Sequence, residues 1–190
     1  MIHAIAPLQR VFSQHSMKLL HVDYYDVHGG SFALQVALEE SDYRPTTAIA
    51  KAIADERGAG LNRLDTYLEF SKRVEDNREA LVGLLKNLKA QGKTIYALGA
   101  PLKGSTLLNY CKIGPDLVTL ATEVNAFKIG RLIPGVHIPI VDEKTVRVQP
   151  DYYLLLAWNF LDYFSTKYSS FLKNGGRFIL PHPNVVCLPE

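Results

Sequence analysis

The chain has 190 residues, 47% of them hydrophobic and 21% charged, with a formal charge of +2. That length holds one domain, or one and a fraction, around a sizeable core, and the composition excludes a disordered chain. The near balance of charge, with no Lys/Arg cluster on one face, argues against nucleic-acid binding. No apolar run approaches the ~20 residues of a bilayer-crossing helix, and no basic-then-apolar leader opens the chain. The expected location is therefore cytoplasmic, away from membranes. Cys111 and Cys187 have no C-x-x-C spacing and read as reduced thiols.

In chain order, Ile5, Leu8, Val11 and Phe12 predict an amphipathic helix over residues 4–16. Two strand-like runs follow at 18–25 and 32–38, separated by Asp26-Val27-His28-Gly29-Gly30-Ser31. Paired glycines between apolar runs signal a chain reversal, so this is a predicted β-hairpin. A helical pattern over 45–57 stops at Gly58-Ala59-Gly60. Leu64, Tyr67, Leu68, Val74, Leu81, Leu85 and Leu88 then recur near a 3.6-residue period, predicting a long helix over 62–89. The charges on its other side read as a solvated face.

The back half alternates. Strands are predicted at 94–98, 117–121, 152–157 and 177–180, and helices at 103–112, 143–148 and 160–172. Alternation of this kind predicts α/β architecture, a Rossmann-like parallel sheet with flanking helices. The helix, the hairpin and the long amphipathic helix precede it.

The segment Gly99-Ala100-Pro101-Leu102-Lys103-Gly104 joins a predicted strand to a predicted helix. Backbone N–H groups and the positive end of the helix dipole converge at such a turn, which suits phosphate. The turn matches neither G-x-G-x-x-G nor G-x-x-x-x-G-K-[ST] cleanly, because Lys103 precedes the second glycine. Close packing of a strand–helix loop explains the glycines equally well. Glu123 stands about 20 residues farther on, where dinucleotide folds place a ribose-binding carboxylate. The Gly- and Pro-rich stretch 125–139 carries Lys128, Arg131 and His137, a set able to neutralise a diphosphate. His28 in the hairpin turn has the titration range of a general base or ligand contact. Trp158-Asn159 and Pro181-His182-Pro183 also fall at strand exits, the ligand edge of an open α/β sheet. No Cys/His set has metal-ligand spacing.

Four motifs occur in order: His28-Gly29-Gly30-Ser31; Gly99-Ala100-x-x-Lys103-Gly104-x-Thr106-x-Leu108-Asn109; Asn125-x-x-Lys128-x-Gly130-Arg131-x-x-Pro134-Gly135-x-His137-Ile138-Pro139; and Pro150-Asp151 through Trp158-Asn159. This series resembles the C-terminal domain of the SAM-dependent C-methyltransferases that act on nucleotide-linked deoxysugars. Leu98, Ser105, Glu123 and Ala126 depart from residues usual in that family.

The resemblance implies a domain that holds the nucleoside diphosphate of a sugar, with His28, Gly30 and Ser31 bordering the sugar. It implies nucleotide contacts from Gly99, Ala100, Lys103, Gly104 and Asn109, to which the loop reading adds Glu123, Lys128, Arg131 and His137. Full-length members resemble a three-part protein with a zinc module and a SAM-binding domain ahead of this region. The expected division is therefore 1–42, the edge of a SAM domain; 43–92, a helical linker region; and 93–190, the Rossmann-like domain. This chain alone is expected to bind no SAM, to lack the catalytic base and to be inactive. Its expected partners are a nucleoside-diphosphate sugar and a SAM-binding domain or chain, in cis or in trans, with a homodimer as one way to cover exposed apolar faces. Two other readings stay open: a stand-alone dinucleotide-binding oxidoreductase, and a non-catalytic subunit pairing with a separate SAM-binding chain.

Overall fold

A computed structural model describes residues 4–27 and 30–189. The chain forms two compact units, divided between Ser71 and Lys72.

In the first unit, α1 (Ile5–Ser13) is followed by an antiparallel hairpin, β1 (Met17–Tyr25) and β2 (Ser31–Leu38), and then by α2 (Thr47–Gly58). Helix α3 (Leu64–Ala90) begins here and ends in the second unit. The predicted hairpin is present, with Met17 opposite Leu38 and Tyr25 opposite Ser31. Its register shifts between Leu19 and His21. The irregularity brings Leu19 and Val22, three positions apart, into one core with Ile5, Ile49 and Ala52. No side chain of its own caps α1. Instead the Glu56 carboxylate, on α2, accepts from the N–H groups of Ile5 and Ala6, the latter at 3.0 Å.

The second unit is a six-stranded sheet in the order β5-β4-β3-β6-β7-β8. Its strands are β3 (Ile95–Leu98), β4 (Ala121–Glu123), β5 (Ile140–Asp142), β6 (Tyr152–Leu155), β7 (Arg177–Leu180) and β8 (Val186–Leu188). The first five run parallel and β8 pairs antiparallel with β7. The expected Rossmann-like sheet is therefore present. Side-chain alternation sorts its residues between two cores. Ile95, Ala97, Leu154 and Leu156 pack on one face with Leu81, Leu85 and Leu88 of α3 and with Leu108 of α4 (Leu102–Cys111). Leu98, Tyr153, Leu155 and Phe178 face the other way, against Tyr168 and Phe171. Asp151 fastens the start of β6 to that of β3, accepting from Thr94 N–H and Oγ1–H, both at 2.8 Å.

Several predicted elements take a different form. Residues 117 and 118 lie in a turn, with Leu117 and Val118 N–H groups both bonded to Gly114 O, and the assigned strand starts at Ala121. Their apolar pattern reflects burial under the sheet rather than pairing within it. The helix expected at 143–148 is a single 3-10 turn, Glu143–Thr145, capped by Asp142 Oδ1 at 2.9 Å from Lys144 N. Val146 turns extended directly after it. The helix expected at 160–172 is a 3-10 turn, Trp158–Phe160, then α5 (Leu161–Lys167) and α6 (Ser169–Lys173). The break at Tyr168 lets its ring pack edge-on to Tyr153 and Phe178. Strands β5 and β8, three residues each, are too short to show a period.

Candidate functional site

From β3 the chain runs outward through β4 and β5; from β6 it runs the opposite way through β7 and β8. The order therefore reverses between β3 and β6, and the loops leaving these two strands flank the switch point, where open α/β sheets form their ligand crevice. On one side Gly99 turns with φ 80°, a conformation natural to glycine, and its N–H donates to Thr122 O at 2.9 Å. Ala100 and Pro101 follow, and α4 begins without a capping side chain. Its free N–H groups and dipole leave an anion-favouring end there.

Gly104 sets the width of the crevice. A β-carbon at this position would stand 2.8 Å from Leu156 Cβ, so only glycine lets the first turn of α4 lie so close to the exit of β6. Across that contact, Lys103 Nζ lies 4.4 Å from the centroid of the Trp158 ring and donates to Asn159 Oδ1. Burial lowers the Lys103 pKa from its ordinary value. The His182 ring, beyond β7, stands 5.6 Å from that of Trp158.

Glu123, at the end of β4, binds the loops on its side of the edge. Its carboxylate accepts from the N–H groups of Val124 at 2.9 Å, Asn125 at 3.2 Å and Ala100 at 3.2 Å, and from Lys128 Nζ at 3.3 Å. Burial pushes its pKa up, but the N–H groups of Val124 and Asn125, the Lys128 charge and the Ala100 N–H outweigh it, and the net value is below the usual one. Lys128 Nζ also donates to Ala100 O at 3.0 Å. Asn109 Nδ2 reaches Pro134 O at 2.9 Å, tying α4 to the loop 125–139. That loop folds on itself through Gly130 N–H to Ile140 O and Ile133 N–H to Ile138 O, with Ile133 and Ile138 fully buried. Arg131 and His137 are exposed on it, His137 with φ 59°.

The structure thus gathers Gly99, Ala100, Lys103 and Gly104 at the crevice and makes Glu123, Lys128 and Asn109 the braces of its rim. Trp158, Asn159 and His182, read from the sequence only as strand-exit residues, turn out to include the partners of Lys103. Strand-exit position was the available signal; which exits face each other depends on strand order.

In the first unit, Gly30 has φ 109° and Ser31 Oγ donates to Val27 O at 3.0 Å. An open pocket of about 480 Å³ lies at this hairpin tip, lined by Tyr24, Tyr25, Asp26, Gly30, Ser31 and Phe32. His28 lies outside the described residues.

Strand order and crevice define the second unit as a Rossmann-like α/β domain. The chain belongs to the family described as "C-methyltransferase C-terminal domain", whose model matches residues 26–183. It is 38% identical over 181 residues to the C-methyltransferase NovU of Streptomyces niveus, an alignment covering 95% of this chain and 43% of that relative. The chain therefore corresponds to less than half the length of the curated relative it matches. No helix among the described residues is long and apolar enough to cross a membrane.

Proposed function

We propose that this chain is the substrate-holding part of a SAM-dependent C-methyltransferase, and that its Rossmann-like unit binds the nucleoside diphosphate of a nucleotide-linked sugar. The observation that carries this reading is Lys103: a partly desolvated ammonium at the uncapped start of α4, beside the Gly99 turn, held by an aromatic ring and a neutral amide. A lysine so placed is a ready partner for a diphosphate. Arg131 and His137 add positive or protonatable groups on the neighbouring loop, which Asn109, Glu123 and Lys128 hold in shape. The hairpin-tip pocket of the first unit, lined in part by Gly30 and Ser31, is read as a sugar-recognition surface.

The same chemistry disfavours SAM as a ligand of this crevice. SAM carries a sulfonium cation and is the methyl donor of the reaction. Of the carboxylates ending strands at this edge, Glu123 is already engaged by three N–H groups and Lys128, and Asp142 caps the 3-10 turn that follows β5. In the parent reaction a base removes the proton α to the sugar's keto group before the carbon is methylated. This chain's contribution is binding and orientation, which lowers the barrier by pre-paying entropy without supplying the chemical step. It is accordingly inactive alone.

Calorimetry of the chain against thymidine diphosphate, guanosine diphosphate and SAM tests the reading. Heat from a nucleoside diphosphate and none from SAM supports it. Binding of SAM alone overturns it, as does turnover of a nucleotide sugar by the isolated chain.

A further inference from the structure

Building on the nucleotide-binding reading, we infer that Trp158 is the stacking platform for the nucleobase, and that Lys103 covers it until a diphosphate draws the lysine away. Trp158 leaves β6 at the switch point, and its ring faces Lys103 across the crevice narrowed by Gly104 and Leu156. A half-buried indole at a strand exit, capped by an ammonium 4.4 Å from its centroid, is an aromatic face held ready rather than packed into a core. It belongs to neither of the clusters on the two faces of the sheet. Among the described residues the Lys103 ammonium is partnered by that ring and the Asn159 amide oxygen, and no carboxylate neutralises it.

A diphosphate at the start of α4 offers the ammonium a charge-assisted contact stronger than the one it has with a neutral amide. Moving there frees both groups that held it. The indole face becomes available to a planar base, and the Asn159 amide, with one acceptor and two donors, becomes available to the base's polar edge. The His182 ring, 5.6 Å from Trp158, bounds the same space from the β7 exit. No covalent step is involved: one cation changes partners and two surfaces are uncovered.

Trp158 is the single tryptophan of the chain, so its fluorescence reports on this site alone. Titration with thymidine diphosphate is expected to change the emission more than saturating inorganic pyrophosphate does, since only the former brings a base onto the ring. In calorimetry, Trp158→Ala is expected to weaken thymidine diphosphate roughly tenfold or more, the usual scale of one base–aromatic stack, and pyrophosphate far less. Trp158→Phe, which keeps a ring and guards against misfolding, is expected to recover most of the loss. Lys103→Ala weakens both ligands. If thymidine diphosphate binds and Trp158→Ala weakens it no more than it weakens pyrophosphate, the platform is wrong while the nucleotide reading stands. If no nucleoside diphosphate binds the unaltered chain, both fall together.

Discussion

The Asn109 amide occupies the space in which any side chain on Gly135 would have to stand. A β-carbon at Gly135 would overlap Asn109 Oδ1 and come within 2.8 Å of Asn109 Cγ, and the residue's φ of 83° is one that favours glycine. Asn109 on α4 and Gly135 on the loop 125–139 are thus fitted to each other, and the bond from Asn109 to Pro134 O closes the fit.

Gly135→Ala is therefore expected to destabilise the fold by about 1–3 kcal/mol, from overlap and strained φ together. Urea unfolding measures it. Adding Asn109→Ala removes the overlap but not the φ strain, so the two substitutions are expected to be non-additive, with the pair costing less than the sum. Strict additivity of the two losses would argue that the side chains do not meet.

Gly104→Ala sets two effects against each other. Alanine is the better helix former by about 1 kcal/mol, but its methyl would press on Leu156 Cβ at 2.8 Å in a buried contact. Overpacking of this kind costs about 1–3 kcal/mol. The expected outcome is a net loss of stability together with a change in Trp158 emission, as α4 and Lys103 shift away from the β6 exit. A more stable protein with unchanged fluorescence would show that α4 has room to spare.

Glu123 makes stability depend on acid. Its folded pKa lies below the ordinary 4.5, the value it regains on unfolding. The stabilisation it contributes is therefore complete above pH 4.5 and is lost as pH falls through the lower folded value. Glu123→Gln abolishes that titration. Unfolding curves of the two proteins are expected to be furthest apart near neutral pH and to converge as the pH drops below 4.5. A constant gap across that range would place the acid sensitivity elsewhere.

The cap on α1 comes from a distant part of the chain, since Glu56 lies 51 residues beyond Ile5, whose N–H it accepts. Glu56→Ala is expected to cost about 1 kcal/mol, the usual scale for loss of an N-terminal cap. Amide exchange at Ile5 and Ala6 should accelerate, while that of β3 and β6 in the other unit stays as it was. Unchanged exchange at Ile5 would mean that another group supports the end of α1.

Where an element buries a long or regular apolar stripe, its outline was legible in the residues. Leu81, Leu85 and Leu88 announced α3, and two strand-like apolar runs around paired glycines announced the hairpin. Local pattern misled where burial and pairing part company. Leu117 and Val118 are buried around a turn, and the helical stretch 160–172 breaks at Tyr168, whose ring packs against Tyr153 and Phe178. Of the crevice, Gly99, Lys103 and Gly104 could be marked as a phosphate-binding turn, but the same residues also fitted plain packing.

Local chemistry alone determined that the back half is built of short strands with helical segments among them, that glycines flank the start of α4, and that cations cluster in the loop 125–139. These follow from side-chain period, glycine's backbone freedom and charge, which act over a few residues. Which strand lies beside which is set by burial and pairing across the whole chain. Only that order put the exit of β6 next to the exit of β3, and so brought Lys103 onto Trp158 and Asn159 from 55 and 56 positions away.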